Sequence, residues 1–375
     1  MERLPAASYE PEGRSAHPRR ERTAEAGWQR DIDALAPEWD VLADRLRAPP
    51  FLRPGWIDAW WKAFGRGELE ICTVRRGARL AGLLTLQRRR GTLESTSNWH
   101  TPWFGSLSED AAVACELAES VVSHAGRRAA LAFVDSESSD LSAFRDSGAR
   151  AGYRVLVRTL ERSPYLDIDR DWTQFIAGLH RGFRSDLGRQ LRRLREQGSV
   201  SLDIEDGNER LTEFLAEGFQ LETSGWKGKT AVAARRETHQ FYTEVARWAT
   251  ERGSLRLYFL RLDNRPLAFD FALQDQGSLY FLKGGYDPAF RRFSPGQLLI
   301  QMMLEHAFVT GLTRFEFLGD AEPYKLAWTS SCRHLRLLQL FAPSVLGSLD
   351  WAVYAHGRPL AKRAHLDPVV TWLRR

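Results

Sequence analysis

The sequence predicts two α/β units in tandem, each a mixed and mostly antiparallel sheet flanked by helices. Its 375 residues suffice for two domains with ordinary cores. The second half repeats the plan of the first, with paired helices, a strand hairpin, and further strands alternating with helices. A short internal echo supports the duplication. Thr73-Val-Arg-Arg-Gly-Ala-Arg-Leu-Ala81 resembles Phe259-Leu-Arg-Leu-Asp-Asn-Arg-Pro-Leu-Ala268, each a strand, a tight turn and a returning strand.

In chain order, residues 1–26 mix Pro, Glu, Arg and Ser without periodicity and read as a disordered leader. The first domain is expected over 27–165. It opens with a helix over 30–47 and a second helix after the proline-marked turn at Pro49-Pro50, where Trp56, Trp60, Trp61 and Phe64 recur at helical spacing and read as core. Two strand-like runs follow around Arg76-Gly-Ala-Arg79 and then a third, followed by the aromatic loop NWHTPWFGSL, a helix over 110–126, the strand AALAFVDS, a helix, and the strand RVLVRTLERSPYLDI. The second domain is expected over 166–342. Helices DWTQFIAGL and FRSDLGRQLRRLREQG lead to the strand SVSLDIED and two more helices. Three antiparallel strands joined by Asp-Asn and Asp-Gln-Gly turns come next, then the helix GQLLIQMMLEHAFVTG and two last strands. Residues 343–375 read as a helical, basic tail, with Arg358, Lys362, Arg363, Arg374 and Arg375.

Composition excludes several classes. Hydrophobic content of 43% and charged content of 27% describe a globular protein. No run of eighteen apolar residues occurs, and the leader lacks the apolar stretch of a signal peptide, so a cytoplasmic location is expected. Cys72, Cys115 and Cys332 are sparse and lack CxxC spacing, which argues against a disulfide framework and a zinc site. The histidines show no ligand spacing either, and no metal is expected. The net charge of +5 comes mostly from arginine, a modest attraction for phosphate-bearing ligands. Of the six lysines, Lys227, Lys229, Lys283 and Lys325 fall where the other chemical signals cluster.

The most informative stretch is Tyr286-Asp-Pro-Ala-Phe-Arg-Arg-Phe-Ser-Pro-Gly-Gln-Leu-Leu299, between a strand and a strong helix. Ser294 is the expected N-cap, its hydroxyl accepting an early helical N–H, with Pro295 at the first helical position and Gly311 as the stop. Gly296 would leave backbone N–H groups open to an anion, helped by the helix dipole and by Arg291 and Arg292. In Leu318-Gly-Asp-Ala-Glu-Pro-Tyr-Lys-Leu-Ala-Trp328 a strand ends and a short helix starts, with Asp320 placed to cap it and Tyr324, Lys325 and Trp328 on adjacent faces. Glu222-Thr-Ser-Gly-Trp-Lys-Gly-Lys229 ends a helix in a glycine-rich loop. Glu222 is a candidate base there, Trp226 a flat surface for a sugar or base, and Lys227 a charge; a plain helix C-cap accounts for the glycines equally well. Asp270 is unusual in a strand interior, and Lys283 and Tyr286 would share its cleft if the hairpin register is regular. Arg181, Arg184, Arg189, Arg192, Arg193 and Arg195 form a basic helix whose ordinary role is a solvated face.

Arg291-Arg-Phe-Ser-Pro-Gly296 resembles the pyrophosphate-binding signature of the GNAT acyltransferases, Arg/Gln-x-x-Gly-x-Gly/Ala, with Ser294 where the family usually has glycine. From about Phe51 to Phe341 the chain resembles the CelD-type GNAT acetyltransferases associated with cellulose and exopolysaccharide synthesis. The segments that carry this are PFLRPGWIDAWWKAFG, ERSPYLDID, FRSDLGRQLRRLREQG, LETSGWKGK, LRLYFLRLDNRPLAFDFAL, YFLKGGYDPAFRRFSPGQLL and FLGDAEPYKLAW. That family is similar to the Fem-type aminoacyltransferases, which also have two GNAT-like domains.

The resemblance implies two tandem GNAT-like domains, an acceptor cleft between them, and transfer of an acyl group, taken as acetyl, from coenzyme A to an amine or hydroxyl of a small molecule, sugar or cell-envelope precursor. Arg291, Arg292, Ser294, Pro295, Gly296 and Gln297 would hold the pyrophosphate. Tyr324-Lys325 is similar to the Fem-type Phe-Lys pair, which implies that Lys325 faces the oxyanion and Tyr324 the leaving thiolate, with Glu222 or Asp320 as base. Arg184 matches a Fem-type contact to a phosphorylated acceptor. On this reading Lys325→Met should fold normally and lose rate. One alternative is a Fem-like transferase using aminoacyl-tRNA, without the longer helical arm of that family. Another is a non-catalytic accessory protein touching a polysaccharide synthase. Nucleic acid is expected only in the first alternative.

Overall fold

The computed structural model describes residues 25–224 and 231–357. Trp226, Lys227, Lys229 and the basic residues of the tail from Arg358 lie outside the described residues. The first half runs β1 (Glu25–Gln29), α1 (Ile32–Arg45), α2 (Pro54–Phe64), β2 (Glu68–Arg76), β3 (Arg79–Arg89), β4 (Thr92–Ser95), β5 (Leu107–Ser108), α3 (Ala111–His124), β6 (Arg128–Asp135), α4 (Ser139–Arg150) and β7 (Arg154–Asp167). The second runs α5 (Trp172–Gly178), α6 (Arg181–Arg195), β8 (Val200–Glu205), α7 (Leu211–Ser224), α8 (Arg236–Glu251), β9 (Leu255–Leu262), β10 (Arg265–Asp275) and β11 (Ser278–Tyr286). It continues with α9 (Pro295–Val309), β12 (Arg314–Glu316), α10 (Pro323–Leu326), β13 (Cys332–Phe341) and α11 (Val345–Ala352).

Local chemistry starts the helices where the sequence places them. Asp31, Asp110 and Asp171 each accept from a backbone N–H three residues on, at 3.1, 2.9 and 2.8 Å. The β9–β10 hairpin turns through Asp263 and Asn264, both at positive φ (47° and 68°), as a two-residue turn with right-handed strand twist requires. β1 begins at Glu25, inside the expected leader, and pairs antiparallel with β2.

The strands form one sheet in the order β1-β2-β3-β4-β6-β13-β7-β12-β11-β10-β9-β8, with β5 beside β3. Most neighbours are antiparallel; β11 with β12 and β4 with β6 are parallel. β7 joins the two halves. Residues 154–164 pair with β13, while Tyr165–Asp167 pair with β12. β13, the last strand in sequence, therefore completes the sheet of the first half, between β6 and β7.

One core also crosses the halves. Trp39, Trp56 and Trp60 of α1 and α2 are buried with Phe241 and Tyr242 of α8, Phe269 and Phe271 of β10 and Tyr280 of β11. The helical tryptophan stripe is thus core, as its spacing predicts. Trp56 meets Phe241 edge-on at 5.1 Å and Phe51 meets Tyr280 edge-on at 5.2 Å. With the two halves packed through aromatic rings, residues from each can be held in one cleft.

Candidate active site

The site begins where two parallel strands separate. β11 and β12 pair only over Ser278–Tyr280 and Arg314–Glu316. β12 then stops, and Leu318 (φ 54°) and Gly319 (φ 61°) turn the chain away in the left-handed region. β11 continues to Tyr286, with a bulge that leaves Leu282 between partners, since Phe281 faces Ala272 and Lys283 faces Phe271. The parting leaves β11 without a strand partner on that side beyond Tyr280. Two cavities open there.

The larger, about 450 Å³, is lined by Gly284, Gly285 and Tyr286 of β11, by Arg291 and Ser294, by Gly296, Gln297 and Ile300 of α9, by Glu222 and Asp270, and by Glu322–Tyr324. Ser294 precedes α9 as expected, but its hydroxyl does not cap. The residue is left-handed (φ 51°, ψ 50°) and makes no side-chain capping bond. Its carbonyl instead receives the Gln297 and Leu298 amides at 3.0 and 3.1 Å. A serine here bears a cost of about 1–2 kcal/mol that glycine would avoid. Of the first-turn amides expected to face the cleft, Gly296's has no acceptor within the helix, and an added Cβ there would meet only Tyr286, at 3.5 Å.

Other expected pyrophosphate residues have different work. The Gln297 side chain donates to the Tyr324 carbonyl at 3.0 Å and accepts from the Trp328 indole at 2.7 Å, tying α9 to α10. Trp328 is 2% exposed and packs edge-on against Phe183, so it supports the site from behind instead of lining it. Pro295 is buried at the first helical position. Arg291 lines the cavity, whereas Arg292 stacks on Phe293. Arg184 donates to the Ala177 carbonyl at 2.9 Å, closing the end of α5.

Glu222 is fully buried, and its Oε2 accepts from the Val232 amide at 2.6 Å. Asp270 is buried across from Gly284. The glycines of β11 follow from these neighbours. A Cβ on Gly284 would lie 1.7 Å from Asp270 Oδ1, and one on Gly285 would lie 2.4 Å from the Glu222 Cα. Gly285→Ala should therefore push α7 off β11 and lower stability by about 1–3 kcal/mol, read as the midpoint of chemical unfolding. Gly296→Ala, with its open surroundings, should leave the midpoint near wild type.

The smaller cavity, about 290 Å³, lies between the halves. The first half contributes Trp99, His100, Thr101 and Pro102 of the aromatic loop and Glu161 of β7. The second contributes Tyr242, Lys283 and the 317–325 segment. Lys283 and Tyr286 do not share a cleft. They stand three residues apart on one strand, so they point to opposite faces. Lys283 lines this cavity with its ammonium 5.8 Å over the Tyr242 ring, while Tyr286 joins Asp270 in the larger one.

Asp320 does not cap α10. Its carboxylate accepts from the Arg162 and Ala321 amides at 3.1 and 2.9 Å, pinning the segment to β7. Lys325 is buried, and its ammonium serves the Leu318 carbonyl (2.7 Å), the Asp320 carbonyl (3.2 Å) and Glu322 (3.1 Å). These contacts make the ammonium the tie that holds the turn.

Tyr324 is 39% exposed and lines both cavities, which also share Phe281, Gly284 and Glu322. Burial of its hydroxyl, then the Glu322 and Asp270 carboxylates, push the phenol pKa up, so it stays protonated at neutral pH. Sequence reasoning missed Glu161, whose carboxyl is pushed up to about 7 by burial first, then by Asp320 and Glu322, against the pull of Lys325. It also missed His100, held well below its ordinary value by burial and by the cations of Lys283 and Arg235, and hence neutral. The aromatic, turn-rich loop around His100 was the available signal. Among the described residues, no group of three or more His, Cys, Asp or Glu could hold a metal ion, and no helix is long and apolar enough to cross a membrane.

Residues 181–326 match the family model described as an acetyltransferase (GNAT) domain. No curated protein sequence matches the chain. Among solved structures, FemX is 12% identical with a TM-score of 0.56, over 81% of this chain and 95% of that one. The C-terminal domain of a "Putative Lysylphosphatidylglycerol Synthetase" from Agrobacterium fabrum is 11% identical with a TM-score of 0.54, over 86% and 97%. At such identities the likeness is one of fold. The mixed, mostly antiparallel sheet flanked by helices is therefore shared across both halves with those structures, and the likeness to a GNAT acetyltransferase domain is confined to residues 181–326.

Proposed function

We propose that this protein is an acyl-CoA-dependent acyltransferase, with acetyl as the group carried, that loads its donor in the larger cavity and its acceptor in the smaller. One observation carries the reading: the two cavities meet at Tyr324 and Gly284, in the opening left where β11 and β12 part. Bringing two substrates to a common point from opposite sides supplies much of the rate in such a transfer. Arg291 and the Gly296 amide at the start of α9 would hold the pyrophosphate, and the protonated Tyr324 would supply the departing thiolate with its proton.

In this reading 166–342 is the transferring domain and 27–165 furnishes the acceptor wall, with residues 343–375 as an appended tail. The acceptor is a small molecule or sugar of a polysaccharide or envelope pathway, as the CelD-type resemblance implies, and the protein works in the cytoplasm, in peripheral contact with a polysaccharide synthase.

Acyl-CoA should stabilise the protein by about 2.7 kcal/mol at a hundredfold excess over Kd. Gly296→Asp places a carboxylate where phosphate must sit and should abolish that gain while leaving the unliganded melting temperature close to wild type. Equal ligand shifts in both proteins would put coenzyme A elsewhere. The exposed arginines of α6, next to the site through Phe183, favour a second reading, an aminoacyl-tRNA donor. Salt-sensitive tRNA binding together with absent CoA binding would favour it.

A further inference from the structure

α11 and the helical turn that continues it (Val353–Gly357) show solvent an apolar face. The inner side is accounted for. Gly347 is buried, Trp351 and Tyr354 are half-buried, and the Tyr354 ring meets Phe341 of β13 at 5.6 Å. Val345, Leu346, Leu349 and Val353 point the other way, at 79%, 55%, 58% and 61% exposure. Their spacing puts all four on one side of the helix. Elsewhere among the described residues, exposed large apolar side chains stand singly or beside the cavities. A contiguous apolar ridge is the mark of a surface that something else covers.

Cations frame the ridge. On one flank the exposed Arg127 pairs with Asp350, the one acidic residue of α11. On the other the exposed Arg154 lies 4.7 Å over the Trp351 ring. Arg128 lies 4.7 Å over the Tyr354 ring, and Arg158 donates to the Tyr354 carbonyl. Arg128, Arg154 and Arg158 make no ion pair among the described residues, so this end of the protein carries uncompensated positive charge. The sequence that follows adds Arg358, Lys362, Arg363, Arg374 and Arg375 against one acidic side chain, Asp367.

We infer that α11 seats the protein on an anionic phospholipid surface, its four aliphatic side chains among the acyl chains and its arginines among the headgroups. Four aliphatic side chains do not reach the roughly 800 Å² per partner that a standard protein interface buries. A bilayer asks for no complementary groove. A short apolar face flanked by arginines is what an interfacial helix uses, and the cations select anionic headgroups. Seating of this kind does not depend on which group the active site transfers. Along β7, Arg154 beside the ridge and Glu161 at the smaller cavity are seven residues apart, roughly 23 Å. Ridge and cavity are therefore separate surfaces, and one can be altered without the other.

The test is flotation of the full chain with vesicles of phosphatidylcholine alone and with vesicles holding about one-third phosphatidylglycerol. Affinity for the anionic vesicles should be about tenfold higher or more, and should fall as salt rises from about 0.1 M to 1 M. Leu346→Gln combined with Leu349→Gln should weaken anionic-vesicle binding by about tenfold or more. Because both leucines are exposed, the melting temperature of that variant should stay near wild type. Arg154→Gln should weaken the same binding by about fivefold at low salt, with little effect at high salt. Arg192→Gln with Arg193→Gln, on the basic helix α6, should leave it within about twofold of wild type.

A wild-type chain that does not float with anionic vesicles would overturn the proposal. Undiminished binding by the two-leucine variant would also overturn it, because cations elsewhere would then be making the contact. Binding lost in the α6 variant and kept in the α11 variant would move the contact to α6. A dimer seen by sedimentation without lipid, and dispersed by the two leucine substitutions, would give the ridge to a second copy and sink the lipid assignment.

Discussion

Replacing Tyr324 by phenylalanine is expected to lower turnover by about 10²–10⁴-fold while acyl-CoA binding stays within a few-fold of wild type. The phenol lines both cavities, and burial and two nearby carboxylates keep its proton on. A thiolate leaving from the larger cavity would find no other protonated tyrosine common to the two. Phenylalanine preserves the local structure because the tie to α9 uses the Tyr324 backbone carbonyl, which accepts from Gln297, and not the ring. The lost group acts as bonds change, so kcat should fall with little change in KM for the donor. Acetyl transfer to n-butylamine and glucosamine as generic amine acceptors, measured beside coenzyme A affinity, gives both quantities. A variant with wild-type kcat would assign the leaving-group proton elsewhere, and a variant that no longer binds coenzyme A would make Tyr324 part of the donor wall.

Most of the fold was legible because its signals are local. Pro295 starts α9 and Gly311, at φ 72°, follows its end; aspartates start three other helices, and Asp263-Asn264 turns a hairpin. The crossing of β7 between two partners was not legible. Its pairing with β13 joins residues 154–164 to 332–341, and nothing in either segment names the other. β1, five residues without alternation, exists because β2 offers an edge.

At the site, the residue types were readable but their directions were not. Ser294 occupies the position the resemblance marks for glycine, and the left-handed backbone that favours glycine is what turns its hydroxyl away from capping. Lys283 and Lys325, which the scarcity of lysine singled out, both line the smaller cavity. Parity along β11 separated Lys283 from Tyr286. Glu161 gave no signal, because what raises its pKa is burial under segments 99–102 and 317–325, remote in sequence.

Lys325→Met is expected to lower stability by about 2–4 kcal/mol, contrary to the sequence-based expectation of normal folding. The backbone at Leu318 and Gly319 is left-handed twice in succession, at φ 54° and 61°, and for leucine that conformation is costly. The Lys325 ammonium holds the turn by binding the Leu318 and Asp320 carbonyls at 2.7 and 3.2 Å. Methionine fills the stem's space but donates nothing, so a buried carbonyl loses its partner. Glu322, at 42% side-chain exposure, can return to water, and the loss therefore falls short of that for a wholly buried ion pair. Because the turn carries Asp320, Glu322 and Tyr324, the rate should fall along with stability. Denaturant midpoints and kcat measured on the same preparations separate the two roles. A reduced midpoint with a reduced rate is the expected result; a wild-type midpoint with a collapsed rate would return Lys325 to the oxyanion, where the resemblance alone would place it.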